Sequence, residues 1–167
     1  MKPCVPWLPR ILLLALTTLS GCISTHRSEL LQRAEENTRH GNYDEAIKAY
    51  QQHIKERLSA EERATWENPY FYLLAIGDIQ LKQGKYDDAI KSFEIAEAHQ
   101  IDPLLVSDRY RYVASLYEKD HKLKEAIDIL TRYRDRDPLL YDLVRDRLAK
   151  ELLEEEDREP KDAPPKP

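Results

Sequence analysis

Two segments of this chain are near copies of each other. Gly41-Asn42-Tyr43-Asp44-Glu45-Ala46-Ile47-Lys48-Ala49-Tyr50 is followed by Gly84-Lys85-Tyr86-Asp87-Asp88-Ala89-Ile90-Lys91-Ser92-Phe93. A weaker third copy runs His121-Lys122-Leu123-Lys124-Glu125-Ala126-Ile127-Asp128-Ile129-Leu130. A unit recurring at this period cannot bury its apolar face alone, so consecutive units must stack and share a core. Apolar residues recur at three- and four-residue spacing through 30–58, 70–98 and 110–130, which is helical periodicity. Little Gly and much Ala, Leu, Glu, Lys, Arg and Tyr favour helices over strands. The fold class is all-α.

The copied motif resembles the tetratricopeptide repeat, a pair of antiparallel helices joined by a Gly-containing turn. In that family a small residue of the first helix packs against Ala of the second, and a large residue follows that Ala by four. The matching positions are Ala34, Gly77 and Ala114, then Ala46, Ala89 and Ala126, then Tyr50, Phe93 and Leu130. His53, His121 and Tyr133 depart from the family pattern. The resemblance implies a right-handed α-solenoid of about three helix pairs, with repeats near 27–60, 70–103 and 107–140. A capping helix near 138–157 would close its end, with Leu139, Leu140, Leu143, Leu148, Leu152 and Leu153 covering the core.

Punctuation fixes the helix starts. Asn68-Pro69, Asp102-Pro103 and Asp137-Pro138 each put an N-cap residue before a proline at the first helical position. Helices are predicted near 27–40, 43–58, 69–83, 86–100, 103–120, 122–135 and 138–157. Ser59-x-x-Glu62 reads as a capping box, so 59–67 forms a short helix or extends the one before it. Residues 158–167 end in Pro160, Pro164, Pro165 and Pro167, a composition that predicts a disordered tail.

The N-terminus carries a different message. Lys2 and Arg10 precede the apolar run 11–19, and small residues follow, as in a secretory signal peptide. The run is too short to span a bilayer, which takes about 20 apolar residues. Leu19-Ser20-Gly21-Cys22 resembles the lipobox of bacterial lipoproteins at all four positions. That resemblance implies a signal peptide over 1–21, cleavage after Gly21 and a lipidated linker over 22–26. Cys22 would carry a covalent diacylglycerol and an N-acyl chain; several acyl chains anchor firmly where one is marginal. Ile23 stands where enterobacterial sorting uses Asp for inner-membrane retention, so the resemblance places the protein on the outer membrane, facing the periplasm. Cleavage would remove two cations and no acid, taking the net charge from −5 to −7. Such an acidic body is a poor nucleic-acid ligand. It would also remove Cys4, leaving no cysteine pair for a disulfide.

No catalytic, metal-binding or cofactor pattern stands out. His26, His40, His53, His99 and His121 lack ligand partners at metal spacing, and four glycines form no phosphate loop. Function is therefore expected in a surface, with no enzymatic activity. In tetratricopeptide proteins the first helices line a concave groove for peptides. Carried over, that groove holds Leu31, Glu35 and Arg39, then Phe71, Leu74, Asp78, Leu81 and Lys82, then Arg111, Ser115, Glu118 and Lys119. Leu31 and Glu35 stand where the carboxylate-clamp subtype has Lys and Asn, so that subtype is not expected. The helix of Phe71, Leu74 and Leu81 is apolar on both sides; either it offers a binding stripe or these side chains are covered. The leading expectation is a lipid-anchored periplasmic scaffold that binds an envelope protein. Similar lipoproteins serve barrel assembly, pilus secretin assembly and murein-enzyme complexes. The alternative is an envelope lipoprotein that self-associates, and an enzyme with an unrecognised site is the third reading.

Overall fold

The computed structural model describes residues 28–158. The expected signal peptide, Cys22 and the proline-rich residues 159–167 lie outside them. Seven α-helices follow one another among the described residues: α1 (Glu29–Arg39), α2 (Tyr43–Ser59), α3 (Tyr72–Lys82), α4 (Tyr86–Ala98), α5 (Pro103–Lys119), α6 (Leu123–Arg132) and α7 (Pro138–Arg158). They pack as hairpins α1–α2, α3–α4 and α5–α6, and α7 lies on α6. The architecture is an α-solenoid of three helix pairs with a terminal helix.

Each hairpin turns at the motif glycine or its substitute. Gly41 and Gly84 take φ of +78° and +72°, the left-handed conformation that ends a helix without a Cβ penalty. His121 takes the same place in the third pair at φ +56° and bears the strain that glycine avoids. The starts of α1, of the turn before α3 and of α5 are capped by side chains. Ser28 accepts from Leu31 N, Asn68 from Tyr70 N and Asp102 from Leu104 N. Pro69 opens a 3₁₀ turn, Pro69–Phe71, that leads into α3.

The core has two parts. Leu31, Ala34, Ala46, Ala49, Tyr50 and Ile54 of the first hairpin close on Ile76 and Ile79 of α3. Leu74 and Leu81, on other sides of α3, join Phe93, Tyr110, Ala126, Leu130, Tyr141 and Leu148 in the larger part. α3 is apolar all round because it is packed from both sides. Gly77 makes this approach possible: the atoms nearest to a Cβ built there all belong to the Phe93 ring, the closest at 2.2 Å. The residue that fills the Gly77 hollow is thus the aromatic four beyond Ala89. Farther along, Tyr110 stacks on Tyr133 at 3.6 Å and 2° between planes.

Two expectations are corrected. No helix starts at Ser59; it is the last residue of α2, its hydroxyl donates to Lys55 O, and 60–67 is irregular. That segment is tied down instead by a two-bond ion pair, Arg57 to Glu67, at 2.6 Å. The cap also seals the core differently. Of the six leucines expected there, Leu148 is buried and Leu140 and Leu152 are half-buried, but Leu139, Leu143 and Leu153 are exposed. Tyr141 does the sealing, fully buried with its hydroxyl donating to Ser107 O at 2.9 Å.

Candidate protein-binding surface

Helical spacing and neighbouring helices separate the expected groove residues into three groups. Leu74, at 2% exposure, and Leu81 are core, as is Leu31. They cannot anchor a partner without unpacking the two core parts, so the apolar stripe expected along α3 is reduced to Phe71, which is 50% exposed.

The second group is already paired. Arg109 donates to both carboxylate oxygens of Asp78 at 3.0 and 2.9 Å and to Leu105 O at 2.9 Å. This ties α3 to α5. Glu118 accepts two bonds from Arg147 at 2.8 and 2.9 Å, tying α5 to α7. The Arg147 guanidinium holds the Glu118 carboxyl below its usual range. Arg111 pairs with Asp108 on its own helix, while its Nε is buried without a partner. Ser115 donates to Tyr112 O at 2.7 Å.

Lys82 and Lys119 form the third group with Arg39, exposed at the C-terminal ends of α3, α5 and α1. Charges there set register and association rate more than affinity.

The apolar surface lies at the opposite end of these helices. Trp66, 86% exposed, stands with Phe71, Tyr72, Ile101 and Leu105 around a groove of about 320 Å³. Leu104 is exposed beside Leu105. At its edge Asn68 Nδ2 donates to His99 O at 2.7 Å, and behind it Tyr70 stacks on His99 at 3.5 Å. A more polar cleft, lined by Leu58, Arg63, Trp66, Tyr70 and His99, adjoins it. Sequence reasoning included Phe71 in the site but missed Trp66, Leu104 and Leu105. The signal was present in the spacing. Val106, Tyr110, Val113 and Tyr117 mark the buried side of α5, which leaves Leu105 and Tyr112 outside.

Ser28 lies at this same end. Its hydroxyl is 2.9 Å from His53 Nδ1, and the His53 ring meets Tyr72 edge-on at 4.7 Å. Burial pushes the His53 imidazole below its ordinary pKa. Among the described residues no three His, Cys, Asp or Glu side chains gather in a metal-binding group, and no helix is long and apolar enough to cross a membrane.

Stacked helix pairs with an apolar groove along one edge define an α-solenoid. Residues 74–140, from α3 to the first turn of α7, match the family model described as "Tetratricopeptide repeat". A similar solved structure is that of the Yersinia enterocolitica type III secretion translocator chaperone SycD. It is 19% identical, covers 74% of this chain and 78% of that chain, and has a TM-score of 0.41. No curated protein matches.

Proposed function

We propose that this protein is a lipid-anchored adaptor of the bacterial envelope, held to the outer membrane through Cys22 and binding a periplasmic protein in the Trp66–Phe71–Leu105 groove. The observation that carries the binding reading is the groove itself. Trp66, Phe71 and Leu105 keep large apolar side chains in water around one groove, and such anchors surrounded by polar groups are where interfaces concentrate affinity. Asp78, Arg111, Ser115 and Glu118 then support the helices beside the groove, while Lys82 and Lys119 remain able to meet partner charges.

The anchoring reading rests on Leu19-Ser20-Gly21-Cys22. Only five residues separate Cys22 from Ser28, a reach of about 20 Å when extended. The end of the solenoid bearing Trp66 would then sit next to the bilayer, and a partner bound there would be recruited to the membrane. Labelled palmitate incorporated by the parent and lost in Cys22→Ser, with recovery of the parent in the outer-membrane fraction, is the expected result. Unchanged detergent partitioning of Cys22→Ser would reject the anchor, and recovery in the inner membrane would reject the sorting.

A further inference from the structure

The last helix has one side that the solenoid does not use. Tyr141 and Leu148 face the core, with Val144 and Leu152 beside them. Diametrically opposite run Leu139, Leu143, Asp146, Lys150 and Leu153, in alternating steps of four and three residues. The three leucines are 84%, 68% and 63% exposed. Steps of four and three are the spacing of a coiled-coil seam. The terminal unit of a solenoid ordinarily shows water a polar outer face. This one shows it leucines.

We infer that α7 pairs with α7 of a second copy of this chain, antiparallel, to make a two-fold symmetric dimer. The order of residues along the seam selects this occupant. Placing the two-fold axis at the height of residue 148 along the helix sets Leu143 against Leu153 of the second copy, and Leu153 against its Leu143. The same register sets Asp146 against Lys150 of the second copy, and Lys150 against its Asp146. Leu139 meets Asp157 at each rim. The four inner layers are therefore complementary in size and in charge under one rotation, which is what an isologous interface requires.

The other occupants fit worse. Head-to-tail stacking would bring the far end of the solenoid onto α7, but the exposed residues of α1 are Glu29, Gln32, Arg33, Glu36 and Arg39, all polar. The residues after Arg158 offer only Ala163 and four prolines as apolar groups, too little to cover three leucines. Within its own helix Asp146 meets Arg145 at 2.8 Å and Lys150 approaches Glu154 at 4.0 Å. Both are exposed pairs that a cross-helix partner replaces at small cost. The dimer uses a different surface from the groove, so it stands or falls independently of the adaptor reading.

The test is sedimentation equilibrium of the full chain in density-matched detergent, over a series from about 1 to 100 µM chain, since assembly by mass action depends on concentration. The parent is expected to reach the dimer mass. Asp146→Lys places like charges in both central layers and is expected to raise the dissociation constant at least tenfold. The double exchange Asp146→Lys/Lys150→Asp restores opposite charges and is expected to restore the dimer. All positions are exposed, and far-UV circular dichroism verifies that each variant is folded. A parent that stays monomeric overturns the inference. So does a dimer untouched by Asp146→Lys, or an exchange that fails to rescue; each would mean that this seam does not pair with itself.

Discussion

At the scale of single residues, the three hairpin turns solve one problem with unequal means. The chain must reverse after α1, α3 and α5, and each reversal uses a left-handed residue: Gly41, Gly84 and His121. An L-residue in that conformation brings its Cβ close to the following carbonyl, a cost of about 1–2 kcal/mol. His121→Gly removes the strain but adds freedom to the unfolded chain, so the net gain should be about 0.5–1 kcal/mol. The urea midpoint is expected to rise. Gly84→Ala should lower it by a comparable amount, although no atom lies within 4 Å of the added Cβ, because there the backbone alone is at fault. A midpoint lowered by His121→Gly would contradict this account of the third turn. The sequence shows the substitution as a departure from the motif. Its consequence is energetic and leaves the path of the chain unchanged.

At the scale of helices, the decisive contact is between α3 and α4. The ring of Phe93 fills the space over Gly77, so any Cβ at 77 meets aromatic carbons at 2.2 to 2.8 Å. The ring is stiff and is itself packed edge-on against Tyr110, 6.2 Å between centroids, so relief must come from moving a helix. Gly77→Ala is therefore expected to destabilise by about 1–3 kcal/mol despite its better helix propensity. Gly77→Ala combined with Phe93→Leu should cost less than the sum of the two single changes. Strict additivity in chemical denaturation would mean that the two helices do not meet there. Much at this scale was legible beforehand. Proline and its preceding cap residue mark the 3₁₀ turn that leads into α3 and the starts of α5 and α7, because proline is favoured in the first turn. The misreadings share a cause. Ser59-x-x-Glu62 satisfies a local pattern, but the segment 60–67 is governed by the Arg57–Glu67 pair, ten residues apart. Whether Leu74 and Leu81 formed a stripe or were covered stayed open in the sequence, because periodicity along one helix cannot report a neighbour on its second side.

Over the whole molecule, the parallel first helices of the pairs gather their N-terminal ends at one edge. Ser28, Trp66, Phe71 and Leu105 all lie there, linked through His53, Tyr72 and the groove. The described chain thus offers two apolar surfaces, this edge and the outer side of α7. The class of fold followed from the repeat, since stacked copies leave few other ways to bury an amphipathic pair. The position of the groove did not, because it joins an irregular segment, a 3₁₀ turn and the first turn of α5 across 40 residues of sequence. The central claim is that this groove binds protein. The direct measurement is affinity capture from envelope extracts by the full chain in detergent, comparing the parent with Trp66→Ala/Phe71→Ala/Leu105→Ala. These side chains are exposed, so helicity and the thermal midpoint should stay near the parent's, while truncating such anchors typically costs about 2 kcal/mol each in binding. The account predicts that a protein retained in proportion to the parent disappears with the triple variant and persists with Lys82→Ala. Undiminished capture by the folded triple variant, or no protein retained by the parent, would contradict it.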